Sequence, residues 1–475
     1  MTVDLCVIGA GSGGLSVAAG AVQMGASVAL FERGAMGGDC LNFGCVPSKA
    51  LLAAGANATA GGRALPFGAT FGAPAIDFGR VHDHIHEIIA DIAPHDSVER
   101  FEGLGVLVFQ EEARFTGPNE VAGSAGACVA ARRFVIATGS SPAIPPIDGI
   151  ADCGYLTNET IFELTERPEH LIVLGGGPVG MEIAQAFRRL GSQVTVLEMG
   201  RVLAKDDPDL VAVVANRLEK EGVEIVEGAL VEKTERTPTG IAVIISGTGG
   251  QERIDGSHLM VAAGRRPNLD GLDLECAGVR AGPAGIDVDA KLKTSNRRIY
   301  AIGDVAGRQQ FTHTAGYHAG IAIRNILFRM GTKVDDRAMP WVTYTDPELA
   351  QVGLSETAAR AAGMTDGHQI RVLTAPFAEN DRARAERTTD GLIKVITGPR
   401  GRILGAGIAG PHAGELLLPW TLAIANKLKI GAMASVVAPY PTLSEISKRV
   451  AGSYYTDRLF STRTRRIVRL LQRLG

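Results

Sequence analysis

The chain has few cysteines for its length, six in 475 residues, and aromatics make up only 5 % of it. A disulfide-stapled secreted scaffold needs a denser cysteine framework than that. Apart from Cys40 and Cys45 the thiols are scattered, at Cys6, Cys128, Cys153 and Cys276. Such usage fits a reducing compartment, where a lone disulfide is more often catalytic than structural. Charge of one sign is also missing: a formal net charge of -3 argues against a nucleic-acid scaffold. No run approaches the roughly 18 apolar residues of a spanning helix, and the N-terminus enters an apolar strand with no basic leader or small-residue cleavage site. A soluble, cytoplasmic protein is expected, of three or four domains at this length.

What is abundant is glycine, 60 residues, and two clusters of it are arranged alike. Val3 to Ile8 reads as a buried strand running into Gly9-Ala10-Gly11-Ser12-Gly13-Gly14, then a small-residue helix and a second strand, Ser27 to Phe31, closed by Glu32. The order returns with Leu171 to Leu174, then Gly175-Gly176-Gly177-Pro178-Val179-Gly180, an amphipathic helix, and Gln193 to Leu197 ending at Glu198. In both copies the acid stands 18 positions after the last motif glycine. One such glycine pattern is weak; two in register with strand, helix and acid are strong. The glycines permit a tight turn and the close approach of a pyrophosphate to a helix N-terminus, and the carboxylate accepts from ribose hydroxyls. Two dinucleotides are implied. Each copy is followed by an apolar strand ending at glycine, Phe134 to Gly139 and Leu259 to Gly264. After Pro267-Asn268 the chain is expected to re-enter the first domain at the strand Arg298 to Ile302, which ends in Gly303-Asp304.

Between the first two strands and the second copy lies Cys40-Leu41-Asn42-Phe43-Gly44-Cys45-Val46-Pro47-Ser48-Lys49, with Cys40 26 residues past Gly14. Five steps of regular helix rise about 7.5 Å, beyond the roughly 7 Å limit for a bridged pair, so a disulfide here requires a distorted turn. Gly37, Gly38 and Gly44 supply backbone freedom for one, and Pro47 suits the first turn of a helix running on through Lys49. Cys45 then sits at a helix N-terminus, where partial positive charge favours the thiolate. Two unpaired structural cysteines are the alternative.

Together these residues resemble the pyridine nucleotide-disulfide oxidoreductases, the family of dihydrolipoamide dehydrogenase, glutathione reductase and mercuric reductase, over nearly the whole chain. The resemblance implies an α/β fold: two Rossmann-like FAD- and NAD(P)-binding domains plus an α+β C-terminal dimerisation domain. The boundaries read as 1–146 and 269–338 for the FAD domain, 147–268 for the NAD(P) domain and 339–475 for dimerisation. It implies a homodimer whose active site is completed by the partner subunit. FAD would be held by Gly9, Gly11, Gly14, Glu32, Lys49, Ala113, Gly139, Asp304, His313 and Ala315. The nicotinamide would be held by Gly175, Gly177, Gly180, Glu198, Gly264 and Arg265. Cys40 and Cys45 would form the redox disulfide, with Cys45 facing the flavin and Cys40 exchanging with substrate. Lys49 would approach the flavin and pair with Glu182, a surface ion pair being the alternative. Glu198 favours NADH because a carboxylate repels a 2'-phosphate, while Arg201 and Arg265 keep NADPH open.

One position departs from the family pattern. The thiol-disulfide members carry a His-Pro-Thr segment whose histidine is held by a glutamate five residues on; this chain reads Tyr440-Pro441-Thr442-Leu443-Ser444-Glu445. With an ordinary pKa near 10, a phenol is only about one part in a thousand ionised at pH 7, so Tyr440 is expected to donate a hydrogen bond or orient a metal substrate. Mercuric reductases resemble this chain in having tyrosine there, but they deliver the ion through a C-terminal cysteine pair, and no cysteine follows Cys276. The expected acceptor is therefore a sulfur species, small or protein-bound. The alternatives are a metal-ion or quinone reductase on the same scaffold and a non-catalytic redox sensor.

Two further segments stand out. His82, His84 and His86 alternate in a helical pattern in which only His82 and His86 share a face; with no third ligand identifiable, a solvated helix and no resident metal are expected. Arg463 to Leu474 reads as a basic amphipathic helix with Ile467, Leu470, Leu471 and Leu474 on one stripe. Docking on its own protein is expected, with an acidic membrane surface or a partner as the alternative.

Overall fold

The computed structural model describes residues 1–247, 250–367 and 369–473. The chain divides into two compact units: one of Met1–Met199 with Val226–Val334, the other of Gly200–Ile225 with Asp335–Gly475.

In the first unit, the strand Thr2–Ile8 pairs in parallel with Val28–Phe31 on one side and with Cys128–Ile136 on the other. Leu107–Phe109 extends this sheet beyond Val28–Phe31, and two antiparallel strands, Glu120–Gly123 and Ala113–Gly117, continue it past Cys128–Ile136. The strand Ile299–Ala301 returns to pair with Cys128–Ile136, which brings the chain back into its first sheet. Val28–Phe31 is buried along its whole length, and so are Leu5 to Ile8 and Phe134 to Ile136 of its parallel neighbours, as expected of a parallel sheet covered on both faces. The helix Ser12–Gln23 runs along one face, lined by Ala18, Ala21 and Val17; small residues let it lie close.

The second glycine copy repeats this plan. Gln193–Glu198, His170–Leu174 and His258–Val261 lie side by side in parallel. The duplication extends to single hydrogen bonds: Ala137 N donates to Ile8 O at 2.8 Å and Ala262 N to Leu174 O at 2.7 Å. An antiparallel meander of Leu230–Thr237, Gly240–Gly247 and Gly250–Gly256 is inserted before the last strand.

The second unit is built on a five-stranded antiparallel sheet in the order Pro340–Thr343, Glu348–Gly353, Ile403–Gly410, Leu392–Thr397, Arg371–Pro376. The helices Ala413–Ala425 and Glu445–Ser453 pack on it through Trp420, Ile424, Ile446 and Val450. The helix Pro208–Lys220 belongs to this unit for an electrostatic reason. Lys394, 5 % exposed on the inner strand Leu392–Thr397, donates to Asp207 (2.8 Å), Asp209 (2.5 Å) and Glu356 (2.9 Å). Burial disfavours its charge, but these three carboxylates outweigh burial and raise its pKa.

The last helix, Thr462–Leu471, is capped by Ser461, whose side chain accepts from Thr464 N. None of its residues is buried in this chain, and Ile467, Leu470 and Leu471 are about half exposed; Leu474 lies outside the described residues. Among the described residues no helix is long and apolar enough to cross a membrane.

Candidate functional site

The two glycine turns show which glycines shape the backbone and which make room. Gly9 and Gly175 have φ of +101° and +113°, and a Cβ on either would stand 2.4 Å from the carbonyl oxygen of the returning strand, Ala137 or Ala262. A Cβ on Gly14 would lie 1.8 Å from Gly9 O, and one on Gly180 2.0 Å from Gly175 O; these two allow helix and strand to touch. Gly11 and Gly177 differ. A Cβ on Gly177 meets nothing within 4 Å, and one on Gly11 meets only Gly38 Cα at 4.0 Å. The space before the second glycine of each turn is thus unclaimed by protein, as the approach of a pyrophosphate requires. The carboxylates repeat as well: Glu32 Oε2 accepts from Ala10 N at 2.6 Å, and Glu198 Oε2 from Gly176 N at 2.7 Å. Each acid is held at the lip of its turn. The residues present fit two dinucleotides.

Gly38, with φ of +60°, lies so close to the first turn that a Cβ on it would stand 2.7 Å from Gly11 Cα. That close approach places the cysteine segment beside the first nucleotide site. The short helix Gly38–Asn42 carries Cys40; Phe43 and Gly44 break it, and Cys45 opens the helix Cys45–Ala58 with Pro47 in its first turn. This is the distorted turn a bridge requires. Here both thiols are free, and each shifts the other's proton affinity. The Cys40 thiol, with the Thr312 hydroxyl 3.3 Å from Cys45 Sγ and the charge of Lys49, holds the Cys45 thiol down at about 6 against the opposing effect of burial. The Cys45 thiol, and burial, push the Cys40 thiol up. Cys45 is the more exposed of the two residues, although its sulfur is enclosed enough for burial to oppose the charge.

Lys49, one helical turn beyond Cys45, donates to Glu182 Oε2 at 2.8 Å. Glu182 is 5 % exposed and comes from the helix Pro178–Arg189 that follows the second glycine turn. The pair is therefore not a surface ion pair; it joins the cysteine helix to the second nucleotide-binding element.

Asp304 accepts from Ser140 Oγ at 2.6 Å, and burial raises its pKa. Arg265 donates to Ser140 Oγ and Ser140 O, both at 2.7 Å, and stands 3.1 Å from Asp39 Oδ1 and 4.0 Å from Asp304 Oδ2. Asn158 Nδ2 also donates to Asp39 Oδ1 and to Phe43 O, both at 3.0 Å, so the cysteine turn is gripped by two residues from the second nucleotide-binding span. Gly139 and Gly264 both have positive φ with open space beside them. Ala113 is buried at the start of its strand. Ala315 is buried beside Gly13 and Gly303, where a Cβ on either glycine would come within 3.3 Å of it. His313 is exposed and stacked on Phe311, ring centroids 5.3 Å apart.

In the second unit, Tyr440 is exposed and donates to Asp381 Oδ2 at 3.2 Å; that bond raises the phenol's pKa. Glu445, five residues on, accepts from Thr442 N at 3.4 Å.

The family profile described as "Pyridine nucleotide-disulphide oxidoreductase" matches residues 3–319, and the dimerisation domain of the same family matches 339–451. The chain belongs to the pyridine nucleotide-disulphide oxidoreductases. It is a flavoprotein enzyme of a family that uses FAD and NAD(P)H, and it carries that family's dimerisation domain. A mercuric reductase of Streptomyces lividans is 37 % identical over 463 residues, 96 % of each chain. A dihydrolipoyl dehydrogenase of Geobacillus stearothermophilus is 34 % identical over 457 residues, 94 % of this chain and 95 % of the relative. Among solved structures, the Cu(II) complex of the HOCl-induced flavoprotein disulfide reductase RclA from Escherichia coli superposes with a TM-score of 0.84 at 27 % identity, over 95 % of this chain and 99 % of that one.

Sequence reasoning missed Asp39, Ser140, Asn158 and Asp381. Asp39 is the one with a local signal, an acid beside Cys40; the others reach their partners only through the fold.

Proposed function

We propose that this enzyme is an NADH-dependent reductase of a sulfur-containing acceptor, with Cys40 and Cys45 as its exchangeable pair. The observation that carries the reading is that Cys40 and Cys45 flank a broken turn, with Cys45 held near 6 beside Thr312 and Lys49. FAD, when bound, supplies two-electron exchange between a nicotinamide and a disulfide. Gly9, Gly11, Gly14, Glu32, Lys49, Ala113, Gly139, Asp304, His313 and Ala315 hold it, and Gly175, Gly177, Gly180, Glu198, Gly264 and Arg265 hold the nicotinamide. The reduced pair acts on a disulfide acceptor in two exchanges. Cys40 sulfur bonds to one acceptor sulfur and its proton passes to the other, which leaves as a thiol; the Cys45 thiolate then attacks Cys40 sulfur, displacing the second acceptor sulfur as a thiolate that takes a proton from water, and closing Cys40–Cys45. Lys49, held by Glu182, keeps the Cys45 thiolate compensated. The engagement of Arg265 by Ser140 and Asp39 and the presence of Glu198 favour NADH over NADPH.

The enzyme works as a homodimer in a reducing, cytoplasmic setting, and Tyr440 and Glu445 complete the partner subunit's site. Tyr440 acts there as a hydrogen-bond donor, since Asp381 moves its pKa further from the working range. A metal ion is the second acceptor class, favoured by the missing histidine base and by relatives named as mercuric reductases. Steady-state NADH oxidation with disulfide, persulfide, metal-ion and quinone acceptors tests the reading. Turnover lost in Cys40→Ser supports sulfur exchange, and turnover that survives it points to direct transfer.

A further inference from the structure

The sequence offers two histidines on one helical face and no third ligand; the fold supplies the third. Glu163, at the end of the turn Ile161–Glu163, comes against the helix Phe78–Ile92 with its Oε1 3.7 Å from His86 Nε2. His82 and His86 stand one turn apart, ring centroids 4.2 Å from each other. One ligating atom from each of His82, His86 and Glu163 lies within 4.8 Å of the other two. His86 Nε2 is enclosed yet makes no hydrogen bond, a standing cost that a ligand bond removes. The Asp83 carboxylate, 3.2 Å from His82 Nδ1, is the kind of outer partner that fixes a ligating imidazole.

We propose that His82, His86 and Glu163 bind a divalent transition metal ion, zinc or a close relative, separate from the redox centre. Two imidazoles and one carboxylate form a donor set suited to zinc, copper(II) or nickel and poorly suited to magnesium or calcium. Zinc–nitrogen bonds of about 2.0–2.1 Å in a tetrahedron place ligand atoms roughly 3.4 Å apart, so small side-chain rotations close the cluster on the ion. Water completes the coordination, because Glu163 is exposed. The ion ties the helix Phe78–Ile92 to the segment that carries Asn158, five residues before Glu163, whose amide grips the cysteine turn.

Zinc also binds paired thiols, so the test uses the full-length, FAD-loaded enzyme carrying Cys40→Ser and Cys45→Ser. Calorimetric titration with zinc should give one ion per chain and a higher melting temperature. Affinity should fall at least about tenfold in His86→Ala and in Glu163→Gln, and stay unchanged in His84→Ala. Glu163 is at the surface, so an unchanged metal-free melting temperature of Glu163→Gln separates lost ligation from lost folding. Zinc uptake that is absent, or that survives Glu163→Gln and His86→Ala, or that falls equally in His84→Ala, overturns the proposal.

Discussion

Glu182 Oε2 stands 2.8 Å from Lys49 Nζ, and this contact joins the helix that starts at the reactive cysteine to the helix that starts at the second nucleotide turn. One ion pair thus serves both the charge at Cys45 and the packing of two binding elements. Lys49→Met takes the ammonium from a carboxylate that is almost wholly buried. We expect a loss of about 2 kcal/mol, below the range for a fully buried pair because Lys49 is partly exposed. The same variant should raise the Cys45 pKa, since Lys49 is one of the groups that lower it. Denaturant unfolding and thiolate absorbance of the reduced enzyme measure the two effects separately.

The thiols give the reduced enzyme a characteristic pH dependence. Cys45 titrates at about 6 when folded and near the ordinary 8.5 when unfolded, so between those values the unfolded chain binds the extra proton. Its contribution to stability therefore grows as pH rises through that window, and it is lost as pH falls through about 6. Cys40, whose pKa is raised, works the other way: above the unfolded value it keeps a proton that the unfolded chain sheds, and stability declines. The melting temperature of the reduced enzyme should pass through a maximum between these limbs. Cys45→Ser should flatten the acidic limb, and an unchanged limb would contradict the assignment.

The glycines separate shape from space. Gly11→Ala and Gly177→Ala place a Cβ where almost nothing stands, and both residues have backbone angles open to alanine, φ of -79° and -74°. They should fold normally and lose affinity for FAD and NADH respectively, by tenfold or more. Gly14→Ala and Gly180→Ala drive a Cβ into a carbonyl oxygen and should lower soluble yield or melting temperature before any binding is measured. Equal stability across the four variants would count against the division.

Glu198 sets the preference between reductants in this account. Glu198→Gln removes the charge that repels a 2'-phosphate, and kcat/KM for NADPH relative to NADH should rise about tenfold. A ratio that does not move would place the discrimination elsewhere.

Much of the site was legible because its signals are local. The glycine turns, the terminal acids and the cysteine segment each lie within one strand-turn-helix passage, where the backbone dictates residue type. The grip on that segment was not legible: Asn158 and Arg265 reach Asp39 across 119 and 226 positions of sequence, and neither sits in a pattern that announces the contact. The family pattern pairs position 440 with Glu445, five residues on, whereas the fold brings Tyr440 Asp381 from 59 residues away. Lys394 on its strand has no periodic signature of the three carboxylates that converge on it. Glu163 is invisible as a ligand for the same reason.

The central claim is that Cys40 and Cys45 store an electron pair beyond the pair held by FAD. Anaerobic reductive titration of the oxidised, FAD-loaded enzyme tests it by counting. Wild type should take up four electrons per flavin, and the Cys40→Ser, Cys45→Ser variant two. A wild-type enzyme that saturates at two electrons, like the variant, would contradict the account.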